Sequence, residues 1–465
     1  MKAPIPFLLF AFVSVALLCC KKESFINSED ARISISVDTL HYDTVFTSTG
    51  SVTQKFKIIN ANNQKLILSH VKLMGGSASA YRMNVDGVPT DDAQNLELAA
   101  NDSVYVFVSV TINPNAENIP FIVQDSIQVS FNGNEQWVQL QAYGQNAHFL
   151  KNAIITTNTS FGNDLPYVVL GALVVDTNVT LSLDPGCRIY VHANAPIIVD
   201  GSLVANGTKA DSIVFRGDRL DPDYKDLPAG WPGIFFRGSS NNNSLTHTRI
   251  LNAYQAIVLD QPSPNASPKL TLNACIIDNA YDAGILSLNS SLKAVNCLIS
   301  NCGINVLLAN GGNYELDQCT VASYSNIYLS HKQPVLAITN WDSSNNQLTT
   351  YPLSATFQNC IFWGDFGTVT DEVVTSRRGT DPFTIDFNHV LYKAQTLPSD
   401  INFISPILNE DPLFDLIDPG GRIFDFHLNK GSSPALKAGA DIGITTDLDN
   451  LPRVPPPDLG CYQKQ

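Results

Sequence analysis

The sequence predicts an all-β chain, an N-terminal β-sandwich followed by a parallel β-helix, which is a solenoid of short strands. Three observations carry that prediction. Between Leu270 and Phe362 the chain repeats itself around cysteine: Leu-Asn-Ala-Cys-Ile-Ile at 272–277, Ala-Val-Asn-Cys-Leu-Ile at 294–299, Leu-Asp-Gln-Cys-Thr-Val at 316–321 and Phe-Gln-Asn-Cys-Ile-Phe at 357–362. The cysteines stand 22, 22 and 41 residues apart, and a fixed period near 22 is solenoid spacing. Within each repeat, apolar and polar positions alternate as a strand with one buried face requires. Upstream, many short alternating strands separated by turn residues read as a sandwich.

The repeat gives the register of the coils. Leu270, Leu292, Tyr314 and Ala355 form one inward row, and Leu272, Ala294, Leu316 and Phe357 the next. Thr271, Lys293, Glu315 and Thr356 lie between them and face outward. The pairs Asn273-Ala274, Val295-Asn296, Asp317-Gln318 and Gln358-Asn359 break the alternation and mark a corner. Ile277, Ile299, Val321 and Phe362 then return to the interior. Coils stacked at roughly 4.8 Å turn such rows into ladders, so the four cysteines are expected in one column. Cysteine is small, apolar and often buried, and no Cys-x2-Cys pair signals a metal site. Stacked Cα atoms about 5 Å apart fall within disulfide range, whereas the side-chain directions of adjacent parallel rungs oppose bridging.

Composition sets outer bounds. With 28 Lys and Arg against 43 Asp and Glu, the formal net charge of −15 argues against a nucleic-acid partner. Hydrophobic residues are 44% and charged residues 15%, which suits a long buried core under a surface of uncharged polar side chains.

The N-terminus has the parts of an export signal: Lys2, an apolar run from Pro6 to Leu18, then Leu17-Leu18-Cys19-Cys20 and Lys21-Lys22. It resembles a bacterial lipobox, with Cys20 as the acylated residue and Cys19 as the alternative acceptor. The resemblance implies a signal peptide over 1–20, a lipid anchor in the membrane and an outer-membrane lipoprotein, facing either the periplasm or the cell surface. A polar tether over 21–31 follows. Seven further cysteines remain, Cys187, Cys275, Cys297, Cys302, Cys319, Cys360 and Cys461. The odd number leaves at least one thiol unpaired within the monomer, and an exported protein is expected to bury it.

Residues 32–149 read as an immunoglobulin-like sandwich. Ile33, Ile35 and Val37 alternate with polar residues, as do Leu66 and Leu68, then Val104, Val106 and Val108, then Val138 and Leu140. Asp43-Thr44-Val45-Phe46, Gly50-Ser51 and Ala142-Tyr143-Gly144-Gln145 resemble an N-terminal module of exported bacterial β-helix lipoproteins. A spacer is its expected role.

Residues 150–465 read as the solenoid with a C-terminal capping segment. The run Pro185-Gly186-Cys187-Arg188-Ile189 with Asp200-Gly201-Ser202-Leu203-Val204-Ala205-Asn206-Gly207-Thr208 resembles the first coils of right-handed parallel β-helix proteins. Leu245, His247 and Ile250 are expected to form one more coil, 25 residues before Leu270, Leu272 and Cys275, with His247 in the interior. Insertions are expected at 216–230, 332–353 and 364–381, gathered on one side of the scaffold. The 332–353 stretch reads either as a coil without cysteine or as a protruding loop. Asp447-Leu448-Asp449-Asn450, Arg453 and Asp458-Leu459-Gly460-Cys461-Tyr462 resemble a closing segment of exported β-helix proteins, and capping the open end is its expected role.

Many proteins of the resembled class are polysaccharide lyases or glycoside hydrolases. A hydrolase needs two carboxyl groups about 5 to 9 Å apart, and a lyase adds Ca²⁺ and an Arg or Lys base. Asp218, Asp221, Asp223 and Asp226 are the candidate carboxylates, with Arg219 or Lys225 as base. They sit in one loop instead of on neighbouring coils, so a solvated charged loop is the stronger expectation. Glycan binding needs an aromatic face beside polar groups, and Trp231, Trp341, Trp363 and Tyr324 are the candidates. No metal motif appears. The expected function is a non-catalytic surface protein binding glycan or another partner, with a polysaccharide-degrading enzyme as the alternative.

Overall fold

The computed structural model describes residues 24–46, 50–113, 121–343, 347–428 and 431–464. The expected signal peptide, Cys19 and Cys20 lie outside the described residues. Contacts divide the chain into two units, residues 1–146 and 147–465. No helix among the described residues is long and apolar enough to cross a membrane.

The first unit is a sandwich of two five-stranded sheets. One runs in the order Ile33–Ile35, Gln54–Asn60, Ser103–Val110, Tyr81–Val85, Val88–Pro89. The other runs Thr39–Phe46, Asn134–Gln145, Phe121–Phe131, Leu66–Leu73, Asp92–Leu98. The alternation seen in sequence is the cause: Leu66, Leu68, Val104, Val106, Val108, Val138 and Leu140 point into a shared core and their neighbours point out. Tyr42 carries a polar tip into that core and its hydroxyl donates to the Val108 carbonyl (2.5 Å).

The second unit is a parallel β-helix of three sheets. Leu173, Ile197, Ile234, Ile257, Ile285, Val306, Leu336 and Val373 stack as one interior column of the first sheet. Ala205, Leu245, Leu272, Ala294, Leu316, Phe357, Phe387 and Phe403 form a column of the second. Ile189, Phe215, Ile250, Ile277, Ile299, Val321, Phe362 and Tyr392 form one of the third. All belong to one buried cluster apart from half-buried Phe403, which packs against it. Toward the C-terminal end the column turns aromatic: Phe357 and Phe387 meet edge to face at 5.1 Å, and Tyr392 and Phe403 stack at 5.5 Å.

The cysteines form the expected column. The N–H of the residue after each cysteine donates to the carbonyl of the cysteine one coil away: Leu298 to Cys275, Thr320 to Cys297 and Ile361 to Cys319, each at 2.9 Å. All seven described cysteines are free and buried. Burial pushes the thiols of Cys275, Cys297 and Cys319 far up, so they stay protonated and inert.

The three corners differ. Between the second and third sheets the chain turns on single residues held at positive φ: His247, Ala274, Asn296, Gln318, Asn359 and His389. His247 therefore stands at a corner and not in the interior. Leu245 pairs with Leu272 and Ile250 with Ile277, a step of 27 residues where 25 was expected. The other two corners carry the insertions, so these gather on two edges instead of one. Leu316 pairs directly with Phe357 and Leu336 with Val306. The long 332–353 stretch is therefore part of a regular coil plus a protruding ribbon, Trp341–Asp342 against Thr349–Thr350.

The C-terminal segment is a lateral strap and not an end cap. Its Phe414, Phe426, Leu428, Leu448, Leu459, Cys461 and Tyr462 pack on the outward side chains of the third sheet, Leu298, Ala322, Tyr324, Ile361, Trp363 and Leu391. Those outward positions are apolar, which explains why they need a cover. Arg453 Nη2–H donates to Asn296 Oδ1 (2.8 Å) and to the Gly460 carbonyl (2.9 Å). Asn359 Nδ2–H donates to the Ala440 carbonyl (2.8 Å), and its Oδ1 accepts from the Ala440 N–H (2.9 Å). Corner asparagines thus serve as docking points. Asn450 holds the turn at φ 63°.

Candidate functional site

The four loop aspartates each face a different environment. Asp218 Oδ2 lies 2.7 Å from His192 Nδ1. Asp221 takes a bidentate pair from Arg219 (2.8 and 3.2 Å), whose guanidinium also lies 3.7 Å over the Tyr224 ring. Asp226 lies 3.9 Å from Arg422 of the strap, and Asp223 is exposed. No cation is common to two of them. Arg219 is committed to Asp221 and Tyr224, and the Lys225 carbonyl receives Arg216 Nη2–H (2.7 Å) and Asn252 Nδ2–H (2.8 Å).

The tryptophans are mostly structural. Trp231 has no exposed surface; it stacks on Phe215 and its Nε1–H donates to the Leu251 carbonyl (2.9 Å). It offers a sugar no face. Trp363 and Tyr324 are buried under the strap. Trp341 is half-buried, donates to Ser376 Oγ (3.0 Å) and has the Arg378 guanidinium 4.2 Å over its ring. An exposed aromatic pair that sequence reasoning missed is Tyr254 and Tyr281, 45% and 51% exposed, stacked at 5.7 Å and 23°. Their separation of 27 residues is one coil step, a signal present in the sequence. Gln255 Nε2–H donates to Asp282 Oδ2 beside them (2.7 Å).

A groove of about 680 Å³ lies on the outside of the second sheet. Its floor is the outward row already legible in the sequence, with Lys293, Glu315 and Thr356 beside Ser291, Asn313 and Ser354. The loop 262–268 walls it. Lys269 fixes that loop from within: its fully buried ammonium donates to the carbonyls of Arg237 (2.8 Å), Gly238 (3.2 Å) and Asp260 (2.9 Å). Burial lowers this ammonium to about 8. Lys293 Nζ pairs with Glu315 at 2.6 Å. The groove is thus hydroxyl- and amide-rich, with one ion pair across its floor.

At its margin Asp317 is buried, accepts from Gln358 Nε2 (3.2 Å) and is pushed up to about 6 by burial and by the neighbouring Glu315. The folded chain therefore holds this proton more tightly than the unfolded one. That contribution is complete below pH 3.8 and is lost as pH rises through about 6. Asp317→Asn removes the cost of the ionised form. The variant is expected to be on the order of 1 to 3 kcal/mol more stable than the parent at pH 8, with the gain shrinking toward zero near pH 4, in urea denaturation.

Among the described residues no group of three or more His, Cys, Asp or Glu side chains converges to hold a metal ion. No family model matches the chain, and no curated protein matches it. Solved structures resemble it only weakly, two of them enzymes that act on glycans. A family 123 glycoside hydrolase from Clostridium perfringens, whose structure concerned glycolipid glycan hydrolysis, is 12% identical with a TM-score of 0.19, over 26% of this chain and 30% of that one. This chain therefore spans less than a third of that enzyme. A family 28 exopolygalacturonase from Yersinia enterocolitica is 10% identical with a TM-score of 0.18, over 82% of this chain and 97% of that one. Neither likeness assigns an activity to this chain.

Proposed function

We propose that this chain is an exported lipoprotein, anchored through Cys20 at the outer membrane, whose solenoid binds a neutral glycan in the groove of the second sheet without cleaving it. The immunoglobulin-like sandwich serves as a spacer. One observation carries the binding reading: a walled groove of about 680 Å³ whose floor is lined by Ser, Asn, Thr and Gln around a single ion pair. Such groups match sugar hydroxyls, and a floor built on strands is held more rigidly than a loop. Asp221 is held by Arg219 in a bidentate pair, which leaves it no free role in acid–base work.

One observation favours a second reading, a glycoside hydrolase. Asp317, held protonated to about pH 6, stands two residues from Glu315, and a pair of carboxyl groups with one kept protonated is what glycoside cleavage uses. Filling the groove tests the first reading. Ser354 is exposed on its floor, so Ser354→Trp is expected to leave stability within about 0.5 kcal/mol. Calorimetric titration of the full chain against neutral oligosaccharides is expected to show binding that this variant weakens at least about tenfold. Equal affinity of parent and variant would exclude the groove.

A further inference from the structure

We infer that the solenoid carries a second binding site, for the carboxylate or sulfate ester of an acidic saccharide, between the third sheet and the C-terminal strap. It does not rest on the groove reading. Three guanidiniums from three distant segments line one cavity of about 530 Å³: Arg216 and Arg249 from successive coils, and Arg422 from the strap. Two carboxylates also line it, Asp226 and Asp278. Asp226 lies 3.9 Å from Arg422, beyond hydrogen-bond distance. Asp278 accepts from Ser300 Oγ (2.7 Å) and Asn301 Nδ2 (3.3 Å). The lining is thus formally cationic in a chain whose net charge is −15.

The guanidiniums are incompletely satisfied. Nε of Arg216 and Nε of Arg422 are both buried without a hydrogen-bond partner. A buried donor left unpaired is costly and rare in native proteins. Guanidinium forks match planar or tetrahedral oxyanions, so three of them lining one cavity suit an oxyanion. Tyr328 backs Arg422 at 4.4 Å and orients it. The volume is that of a sugar-sized ligand and far exceeds one inorganic anion. The Gly420-Gly421 turn also lines the cavity.

The test titrates the full chain calorimetrically with four probes: trigalacturonate, a sulfated trisaccharide, maltotriose and inorganic sulfate. At least one acidic trisaccharide is expected to bind about tenfold or more tighter than maltotriose at this site and than sulfate, and to weaken with salt. Arg249→Gln changes an exposed side chain and keeps the fold. It and Arg422→Gln are each expected to weaken the acidic probe about tenfold or more, whereas Ser354→Trp leaves it unchanged. Acidic probes bound equally by the parent and both arginine variants would overturn the site. Sulfate bound as tightly as the trisaccharides would overturn the saccharide. Loss of acidic binding in Ser354→Trp alone would move the ligand to the groove.

Discussion

Replacing Glu372 by alanine is expected to cost about 3 to 5 kcal/mol, because it opens a cavity and strands the buried His331 Nε2 and Val335 N–H without a partner. Glu372 has no exposed surface and His331 almost none, with Nε2 and Oε1 2.8 Å apart. Glu372 Oε2 also accepts from the Val335 N–H (3.2 Å). A Cβ on Gly364 would lie 2.3 Å from Glu372 Oε1 and 2.4 Å from His331 Nε2. The pair ties the 325–335 loop, which carries Tyr328, to the strand Val373–Ser376. Urea denaturation measures the loss. A change below about 1 kcal/mol would mean that the pair is not closed in solution.

Gly233→Ala is expected to be as damaging, at about 3 kcal/mol or more. Gly233 sits at φ 127°, a region that side chains avoid at a cost of about 1 to 3 kcal/mol. A methyl group there would meet the Gln255 carbonyl oxygen at 1.6 Å, and that atom is backbone of the next coil. The coils cannot separate locally, because Ile234 is paired with both Ile197 and Ile257. Thermal unfolding of the variant is expected well below that of the parent. An unchanged midpoint would show that the coil spacing at this corner is looser than the register requires.

Much of the solenoid is legible in the sequence because stacking forces like residues into like positions. The cysteine column, the inward rows and the outward row of Lys293 and Glu315 all follow from one period. The coil at Leu245 slips because Thr248 stands where the later coils carry the marker cysteine, so the period there has no cysteine to fix it. The strap reads as an end cap because end-capping and side-covering draw on the same apolar residues. The mark of side-covering lies in Leu298, Ile361 and Trp363, outward positions too apolar for water. Trp231 reads as a binding face because side-chain type carries no direction. Its bridge to Ala253 sets it inside. The cationic cavity is hidden by sequence distance, since Arg422 joins Arg216 and Arg249 only once the strap docks.

Binding without cleavage is tested most directly by holding the full chain with a panel of neutral and acidic polysaccharides and following bound ligand and released ends together. Saturable binding is expected, lost for neutral glycans in Ser354→Trp, with no new reducing or unsaturated ends. Steady release of such ends, abolished by Asp317→Asn, would contradict a purely binding role and make the groove a catalytic cleft.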